Sequence, residues 1–243
     1  MDLIMIYDFD GTLTPYAMPQ YKILKDCGYD DEKVMGIIQI IMDSKKIGLY
    51  EAYVEAIFTI LERHHKERAI DTICDGAEEI IYNPGVISYF EKFKDVNHYV
   101  VTSGYEDYVR KTKIYPYLKD IFGTRITIDN SYMIDQLMTD EKKVDAIGKI
   151  VQTNSSDFHN VIYIGDGLTD CYAFEYVHKN GGISIFVGEL TAPIEKLCQL
   201  GIIDYCFERN FEVGSSIDKY IQSRLEGETC YEKELANSTS SYT

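Results

Sequence analysis

The chain has 243 residues, of which 45% are hydrophobic, 13% aromatic and 26% charged. This apolar content excludes extensive disorder, and the length fits one α/β domain that carries a smaller insert. Forty acidic residues against 24 basic ones give a net charge of −16, which argues against nucleic acid and anionic membranes as partners. A small anionic substrate is compatible with this charge, because a metal ion and one lysine can reverse the field locally.

The first seven residues contain no basic segment and only a short apolar run, unlike a secretory signal. No apolar stretch approaches the roughly 18 residues that a membrane helix needs. The six cysteines form no CxxC pair and the five histidines are scattered, so the pattern indicates neither a disulfide framework nor a zinc site. We therefore expect a cytoplasmic protein. The sequence does not indicate its oligomeric state.

Continuous apolar runs predict strands that are buried on both faces of a parallel sheet. The runs are Leu3–Tyr7, Tyr99–Val101, Val161–Ile164 and Ile183–Gly188, with a weaker strand at Arg125–Ile128. Helical patterns alternate with them at Pro84–Lys94, Glu106–Thr112, Glu141–Gln152 and Thr169–His178. This alternation predicts an α/β fold with a doubly wound, mostly parallel sheet.

The interval between the first two strands is too long for a simple crossover. About 95 residues separate Asp8 from Ser103, whereas a βαβ unit takes roughly 30. Apolar residues at helical spacing predict helices at Asp30–Asp43, Tyr50–Arg63 and Ala69–Ile81. We therefore expect a small helical cap at residues 15–82, inserted into a core of residues 1–14 and 83–225. Residues 226–243 lose the periodicity and are predicted to form a polar tail.

Three predicted strands end in acids, hydroxyls or glycines, at the edge where open α/β sheets bind ligands. These ends are Asp8–Thr14, Thr102–Gly104 and Gly165–Asp170. Any one of them can be a plain turn, but the three together indicate a site. Asp8 and Asp10 point to the same side of an extended chain and raise each other's pKa unless a cation lies between them. One acid can then bind metal and attack, while the other exchanges a proton.

The same segments resemble, in order, the motifs of the haloacid dehalogenase (HAD) superfamily of phosphohydrolases. Asp8–Thr14 resembles motif I, Val100–Gly104 motif II and Gly165–Asp170 motif IV. Lys142 and Lys143 compete for the lysine of motif III. We favour Lys143, because apolar Ile147 and Ile150 follow it at the spacing that the family shows. The insert corresponds to a C1 cap, an arrangement most similar to the phosphoserine-phosphatase-like branch.

The resemblance implies a Mg²⁺-dependent phosphatase that hydrolyses a small phosphorylated metabolite through an aspartyl phosphate. Asp8 would be the nucleophile, and Asp10 would protonate the leaving oxygen and then activate water. The implied phosphate-binding residues are Ser103, Gly104 and Lys143; the implied Mg²⁺ ligands are Asp8, Asp10 through its carbonyl, Asp166 and Asp170, the last as ligand or support. The second acid of motif I favours a phosphatase over a dehalogenase, which has no leaving alcohol to protonate.

The cap is expected to select the substrate. Phosphoserine phosphatases carry a glutamate shortly after motif I, whereas this chain has no acid within Thr14–Pro19, so we expect a substrate other than phosphoserine. Candidate substrate residues at the cap entrance are Tyr16, Met18 and Tyr21, with Tyr50 and Tyr53 further along. They can form an apolar or cation-binding pocket, or simply pack the cap.

Other functions use similar residues. A phosphotransferase would pass the aspartyl phosphate to an acceptor other than water. A non-catalytic, phosphate-responsive regulatory domain also combines an aspartate, a hydroxyl and a lysine at strand ends, but such a domain is about half this length and lacks the second acid of motif I. A catalytically silent scaffold is disfavoured because all the motifs are intact.

Overall fold

The computed structural model describes residues 3–64 and 70–227. Its first strand, β1 (Ile4–Tyr7), has no exposed side chain and pairs in parallel with β2 (Asn97–Tyr105) on one side and β5 (Val161–Gly165) on the other. The apolar run at the start of the sequence is thus a buried central strand, as predicted.

One seven-stranded sheet runs in the order β4-β3-β2-β1-β5-β6-β7. Its remaining strands are β3 (Leu118–Ile128), β4 (Tyr132–Gln136), β6 (Ile183–Val187) and β7 (Tyr205–Phe207). Among the strands that the structure describes, only the pairing of β3 with β4 is antiparallel, so the predicted mostly parallel sheet is confirmed. The edge strands β4 and β7 were not predicted; β4 alternates buried and exposed residues and β7 has only three residues, so neither forms a continuous apolar run.

Helices cover both faces of the sheet. Those of the core are α6 (Val86–Lys92), α7 (Glu106–Arg110), α8 (Asp140–Thr153), α9 (Cys171–Lys179), α10 (Ala192–Gln199) and α11 (Ser216–Glu226). Met5 and Tyr7 of β1 point into the apolar cluster that contains α6, α7 and α11, whereas Ile4 and Ile6 point into the cluster that contains α8, α9 and α10. Alternate residues of a strand point to opposite faces, so one short strand supports both layers. The doubly wound arrangement is confirmed.

The long interval after β1 is helical. It contains α1 (Met18–Tyr21), α2 (Ile23–Asp26), α3 (Asp31–Lys45), α4 (Leu49–His64) and α5 (Ile70–Ile73). The two long helices match the predictions and pack against each other. The third predicted helix, Ala69–Ile81, is wrong over most of its length. Position 69 falls outside the described residues. Gly76 takes a left-handed φ of +85°, so within the described residues 70–81 only α5 and one 3₁₀ turn at Ala77–Glu79 form.

The two ends of the insert meet beside motif I. The backbone N–H of Asn83 donates to the carbonyl of Leu13 at 2.9 Å, and its side-chain amide donates to the carbonyl of Thr12 at 2.8 Å. This contact lies close to the proposed boundaries of the cap, which stay predictions. The proposed tail at 226–243 falls outside the described residues apart from its first two positions. In the part of the chain that the structure describes, no helix is both long and apolar enough to cross a membrane.

Candidate active site

The carboxyl ends of three adjacent strands bring the motifs together. Strand β1 lies between β2 and β5, with Tyr7 level with Val100 and Ile164. The chain remains aligned beyond β1, because the N–H of Asp8 donates to the carbonyl of Ile164 at 2.9 Å. Asp8 and Asp166 therefore follow β1 and β5, and Ser103 lies near the carboxyl end of β2, at the same edge of the sheet.

The loop after β1 depends on a glycine. Gly11 has a φ of +86°, and a Cβ atom placed there would lie 2.2 Å from a carboxylate oxygen of Asp166. The loop turns back at once, since the N–H groups of Leu13 and Thr14 both donate to the carbonyl of Phe9. The missing side chain lets the segment after β1 approach the segment after β5 closely.

Lys143 reaches the site from the first turn of α8. Its side chain is 1% exposed, and Nζ lies 3.0 Å from Oδ1 of Asp8 and 2.7 Å from Oδ1 of Asp170. Burial lowers the pKa of this ammonium, but the carboxylates of Asp170 and Asp8 outweigh burial and raise it. The competing Lys142 is exposed. The lysine therefore remains protonated between the two acids.

Asp170 is completely buried and accepts four hydrogen bonds. Oδ1 accepts from Lys143 and, at 2.6 Å, from the hydroxyl of Tyr163 on β5. Oδ2 accepts from the backbone N–H groups of Asp166 at 3.1 Å and Gly167 at 3.3 Å. This carboxylate fixes both the lysine and the loop after β5. Sequence reasoning missed Tyr163, because its position within a buried apolar run makes it look like an ordinary core residue.

Asp166 is held from two sides. Oδ1 accepts from the hydroxyl of Thr12 at 3.0 Å, and Oδ2 lies 3.3 Å from Nη2 of Arg209. Burial and the charge of Asp170 raise its pKa to about 6, against the pull of Arg209. Arg209 follows β7. Because that strand was not predicted, the sequence did not indicate that this arginine lies at the site. For Thr12, its position within motif I was the one indication in the sequence that it lies at the site.

The ionised carboxylates of Asp8 and Asp10 together would carry two negative charges, which the single positive charge of Lys143 does not offset. Burial raises the pKa of Asp8 to about 7, although Lys143 opposes the shift. Burial and then the charge of Asp8 raise the pKa of Asp10 well above its usual range. Oxygens of Asp8, Asp166 and Asp170 all lie within 4.8 Å of one another. Such a group of carboxylate oxygens can hold a divalent cation, which would stabilise the ionised acids.

The carboxylate of Asp10 points elsewhere. Its Oδ1 accepts from the backbone N–H of Met18 at 3.0 Å, at the start of the cap. Its side chain is therefore not part of the three-acid group. The role of its carbonyl as a metal ligand stays a prediction.

Ser103 and Gly104 end the second motif. The hydroxyl of Ser103 is buried and has no hydrogen-bond partner among the described residues. The backbone is held by neighbouring threonines: the carbonyl of Ser103 accepts from Thr124 at 2.8 Å, and the N–H of Gly104 donates to Thr102 at 3.0 Å. An unpaired buried hydroxyl is costly, so its position favours a ligand that supplies the partner.

A cavity of about 280 Å³ opens beside these residues and is lined by Asp10, Ser103 and Gly104 together with cap side chains. Of the candidate substrate residues, Met18, Tyr50 and Tyr53 line it. Tyr16 and Tyr21 lie outside it: their rings pack against each other at 5.9 Å, and the hydroxyl of Tyr21 donates to the carbonyl of Ile81.

The family model for haloacid dehalogenase-like hydrolases matches residues 5–175. The chain belongs to the haloacid dehalogenase-like hydrolase family. The match covers most of the chain and includes the three strand ends and Lys143, so the family recognised from the motifs is confirmed and the protein is an enzyme of the hydrolase class. The comparison with curated protein sequences finds no match.

Solved structures of this family share the fold. A phospho-aspartyl intermediate analogue of phosphoserine phosphatase aligns with a TM-score of 0.62 and 19% identity, over 91% of this chain and 98% of the other. A substrate-bound phosphoserine phosphatase aligns with a TM-score of 0.65 and 18% identity, over 90% and 98%. The HAD family hydrolase t0658 from Salmonella enterica serovar Typhi gives 0.66 and 16%, over 88% and 72%. At these identities the likeness concerns the fold.

Proposed function

We propose that this HAD hydrolase is a Mg²⁺-dependent phosphatase, which hydrolyses a small-molecule phosphomonoester through an aspartyl phosphate on Asp8. The observation that carries the proposal is the contact of Asp8 with Lys143, at 3.0 Å, within a group of three acids of which Asp8 and Asp170 are buried. An acid that merely ends a strand does not require a neighbouring lysine and two further acids. A nucleophilic carboxylate that must meet a phosphoryl group needs both a nearby cation and a lysine.

The donor set fits Mg²⁺. This hard cation prefers carboxylate, carbonyl and phosphate oxygens, and three carboxylates converge here. Asp8 and Asp166 would hold it through side-chain oxygens, and Asp10 through its carbonyl. Asp170 already accepts four hydrogen bonds, so we assign it to holding Lys143 and the loop after β5. When bound, Mg²⁺ would neutralise charge on the acids and on the phosphoryl oxygens.

The residues divide the reaction between them. Oδ2 of Asp8, the oxygen that Lys143 does not contact, attacks phosphorus while the bond to the leaving oxygen breaks. Asp10 donates its proton to the leaving alkoxide, and its raised pKa suits it to that role. Asp10 then takes a proton from the water that attacks the aspartyl phosphate, which releases phosphate and restores Asp8. Ser103 donates its unpaired hydroxyl to a phosphoryl oxygen, and Lys143 stabilises charge that develops there.

The alternatives differ in what they require. A phosphotransferase would use the same first step with another acceptor, so product analysis separates it from a phosphatase. A regulatory domain has no need for a cavity against Asp10 or for a second acid close to Asp8. These two features favour turnover of a small molecule.

Phosphate release from para-nitrophenyl phosphate tests the proposal. We expect turnover that requires Mg²⁺ and stops with EDTA, and we expect Asp8→Asn to lose it by about 10³-fold or more, since the nucleophile is removed. Asp145→Asn is the matched control, because this acid lies exposed on α8. Acid-quenched protein should carry a phosphoryl group on the peptide that contains Asp8. Metal-independent turnover, or full activity of Asp8→Asn, would contradict the proposal.

A further inference from the structure

One end of the cavity beside Asp10 faces the proposed phosphoryl site. Asp10, Ser103 and Gly104 form the end that belongs to the proposed phosphoryl site, and cap helices α1, α3 and α4 supply most of the rest. A phosphomonoester that places its phosphorus near Asp8 therefore extends its alcohol part into this space. The chemistry of the lining decides which alcohol fits.

The lining is mainly apolar. It includes the side chains of Met18, Met35, Ile38, Leu49, Val54 and Leu137. Met35 and Leu49 are 54% and 53% exposed and still line the cavity, so its rim toward solvent is apolar as well. Among the described residues that line it, Asp10 is the only acid, and no lysine, arginine or histidine lines it. Asp10 itself is assigned to the leaving oxygen.

Apart from the carboxyl group of Asp10, the polar side-chain groups of the lining are neutral hydroxyls. Tyr50 points its hydroxyl to Asp140, at 2.7 Å, outside the lining. Tyr105 is 3% exposed, and its hydroxyl has no hydrogen-bond partner among the described residues. The cavity can thus satisfy a neutral polar group, but it offers no second carboxylate for an ammonium and no cation for a carboxylate.

We propose, resting on the phosphatase function above, that the substrate is the phosphate monoester of an uncharged, mostly apolar alcohol. An amino-acid alcohol such as serine would bring both an ammonium and a carboxylate into the cavity, and each would lose hydration without meeting an opposite charge. A quaternary ammonium would meet tyrosine rings, whose attraction for a cation is modest without a carboxylate nearby. An alkyl or aryl group matches the lining directly.

A pair of substrates with the same shape isolates the effect of charge. 3,3-Dimethylbutyl phosphate and phosphocholine differ by the replacement of a quaternary carbon with a quaternary nitrogen. We expect kcat/KM for the neutral ester to exceed that for phosphocholine by about tenfold or more, and phosphoserine to be poorer still. Choline is the better leaving group in solution, so intrinsic reactivity works against this expectation.

Two cap variants connect the preference to the cavity. Leu49→Glu and, independently, Met35→Glu place a carboxylate at the half-exposed rim and should lower the ratio of the two kcat/KM values by about tenfold. Ile40→Glu is the control, because Ile40 also lies on a cap helix and is 69% exposed but does not line the cavity. It should leave the ratio unchanged.

Acetyl phosphate, whose leaving group barely enters the cavity, separates the two proposals. No Asp8-dependent phosphate release from either acetyl phosphate or para-nitrophenyl phosphate would overturn the phosphatase and, with it, the substrate class. Turnover of acetyl phosphate with phosphocholine equal to or better than its neutral analogue would overturn the substrate class alone. An unchanged ratio in both folded rim variants would equally contradict it, because the preference would then arise outside the cavity.

Discussion

Lys143 is the residue on which the site depends. Its ammonium is buried with two carboxylates, and a buried ion pair gains stability only when its geometry and hydrogen bonds are good. Tyr163 and two backbone N–H groups supply those bonds to Asp170. A packed apolar residue would stabilise the same space as well or better, so the pair indicates a functional requirement for charge.

Replacing this lysine tests its role. Lys143→Ala should lower kcat by about 10²-fold or more, because the developing phosphoryl charge loses its partner. The variant also leaves two buried carboxylates unpaired, so the free energy of unfolding should fall by about 3–5 kcal/mol. Steady-state kinetics and urea unfolding measure the two effects.

Lys142→Ala is the matched control, since the neighbouring lysine is exposed and should change neither quantity. Lys143→Arg keeps the charge but not its position, and it is expected to fold better than the alanine variant while remaining slow. Equal activity losses at the two lysines would show that Lys143 has been placed wrongly.

At the scale of the element, the turn after β1 decides whether the motifs meet. Gly11 has a φ of +86° and lies against Asp166, which in turn is held by Thr12 and Arg209. Gly28 has a similar φ of +74° with no atom near its missing Cβ. The chain thus contains two glycines with similar backbone conformation but different crowding.

Replacing each glycine by alanine separates backbone strain from crowding. Gly28→Ala should lower the free energy of unfolding by about 1 kcal/mol through strain and leave activity unchanged. Gly11→Ala adds a collision with Asp166, so we expect a larger loss of stability and a loss of kcat of about 10²-fold. Thermal unfolding and phosphatase assays compare them. Full activity in Gly11→Ala would show that the close approach of the two loops is not needed.

At the scale of the whole molecule, a buried polar side chain of β2 packs between the sheet and α6. His98 has no exposed surface, and its Nε2 lies 2.8 Å from the carbonyl of Phe93, which can only accept. Nε2 therefore carries the hydrogen. Nδ1 accepts from the hydroxyl of Tyr7 at 3.0 Å, and Tyr7 in turn contacts the hydroxyl of Tyr89 at 3.1 Å. The histidine is held neutral between β1 and α6.

This histidine makes stability depend on pH. Burial lowers its pKa from 6.5 to about 4 in the folded protein. As the pH falls, the unfolded state therefore binds the proton first. The contribution of neutral His98 to the free energy of unfolding is fully present above pH 6.5 and is lost as the pH falls toward 4. At pH 5 the loss is about 2 kcal/mol relative to pH 7. Urea unfolding at the two pH values measures it.

His98→Gln provides the comparison, because the amide can keep both contacts but does not titrate in this range. The raised pKa values of Asp8 and Asp166 act in the opposite direction, stabilising the fold as the pH falls, and they are common to both proteins. The difference between wild type and variant isolates the histidine. Parallel pH profiles would contradict the assignment.

Much of the candidate site was accessible from the sequence because its signals are local. A buried parallel strand needs a continuous apolar run, and a ligand-binding end needs short polar residues immediately after it, so Asp8, Ser103 and Asp166 could be identified from neighbours in the chain. Lys143 followed from the phase of the apolar residues behind it. Tyr163 and Arg209 could not be identified in this way, since their importance comes from contacts with residues distant in sequence. Thr12 lies within motif I, but its contact with Asp166 likewise appears only in the folded chain.

The sequence by itself determined the alternation of strands and helices, the family and the acids at the strand ends, because periodicity and turn chemistry act over a few residues. Only the tertiary structure decided which edge strands complete the sheet, that the carboxylate of Asp10 faces the cap, and which cap side chains line the cavity. A helix face that packs against another helix and one that lines a cavity have the same apolar composition. The motifs at the strand ends therefore indicated where a phosphate could be handled, while the shape and neutrality of the cavity, built from helices far apart in sequence, suggest which phosphate ester it takes.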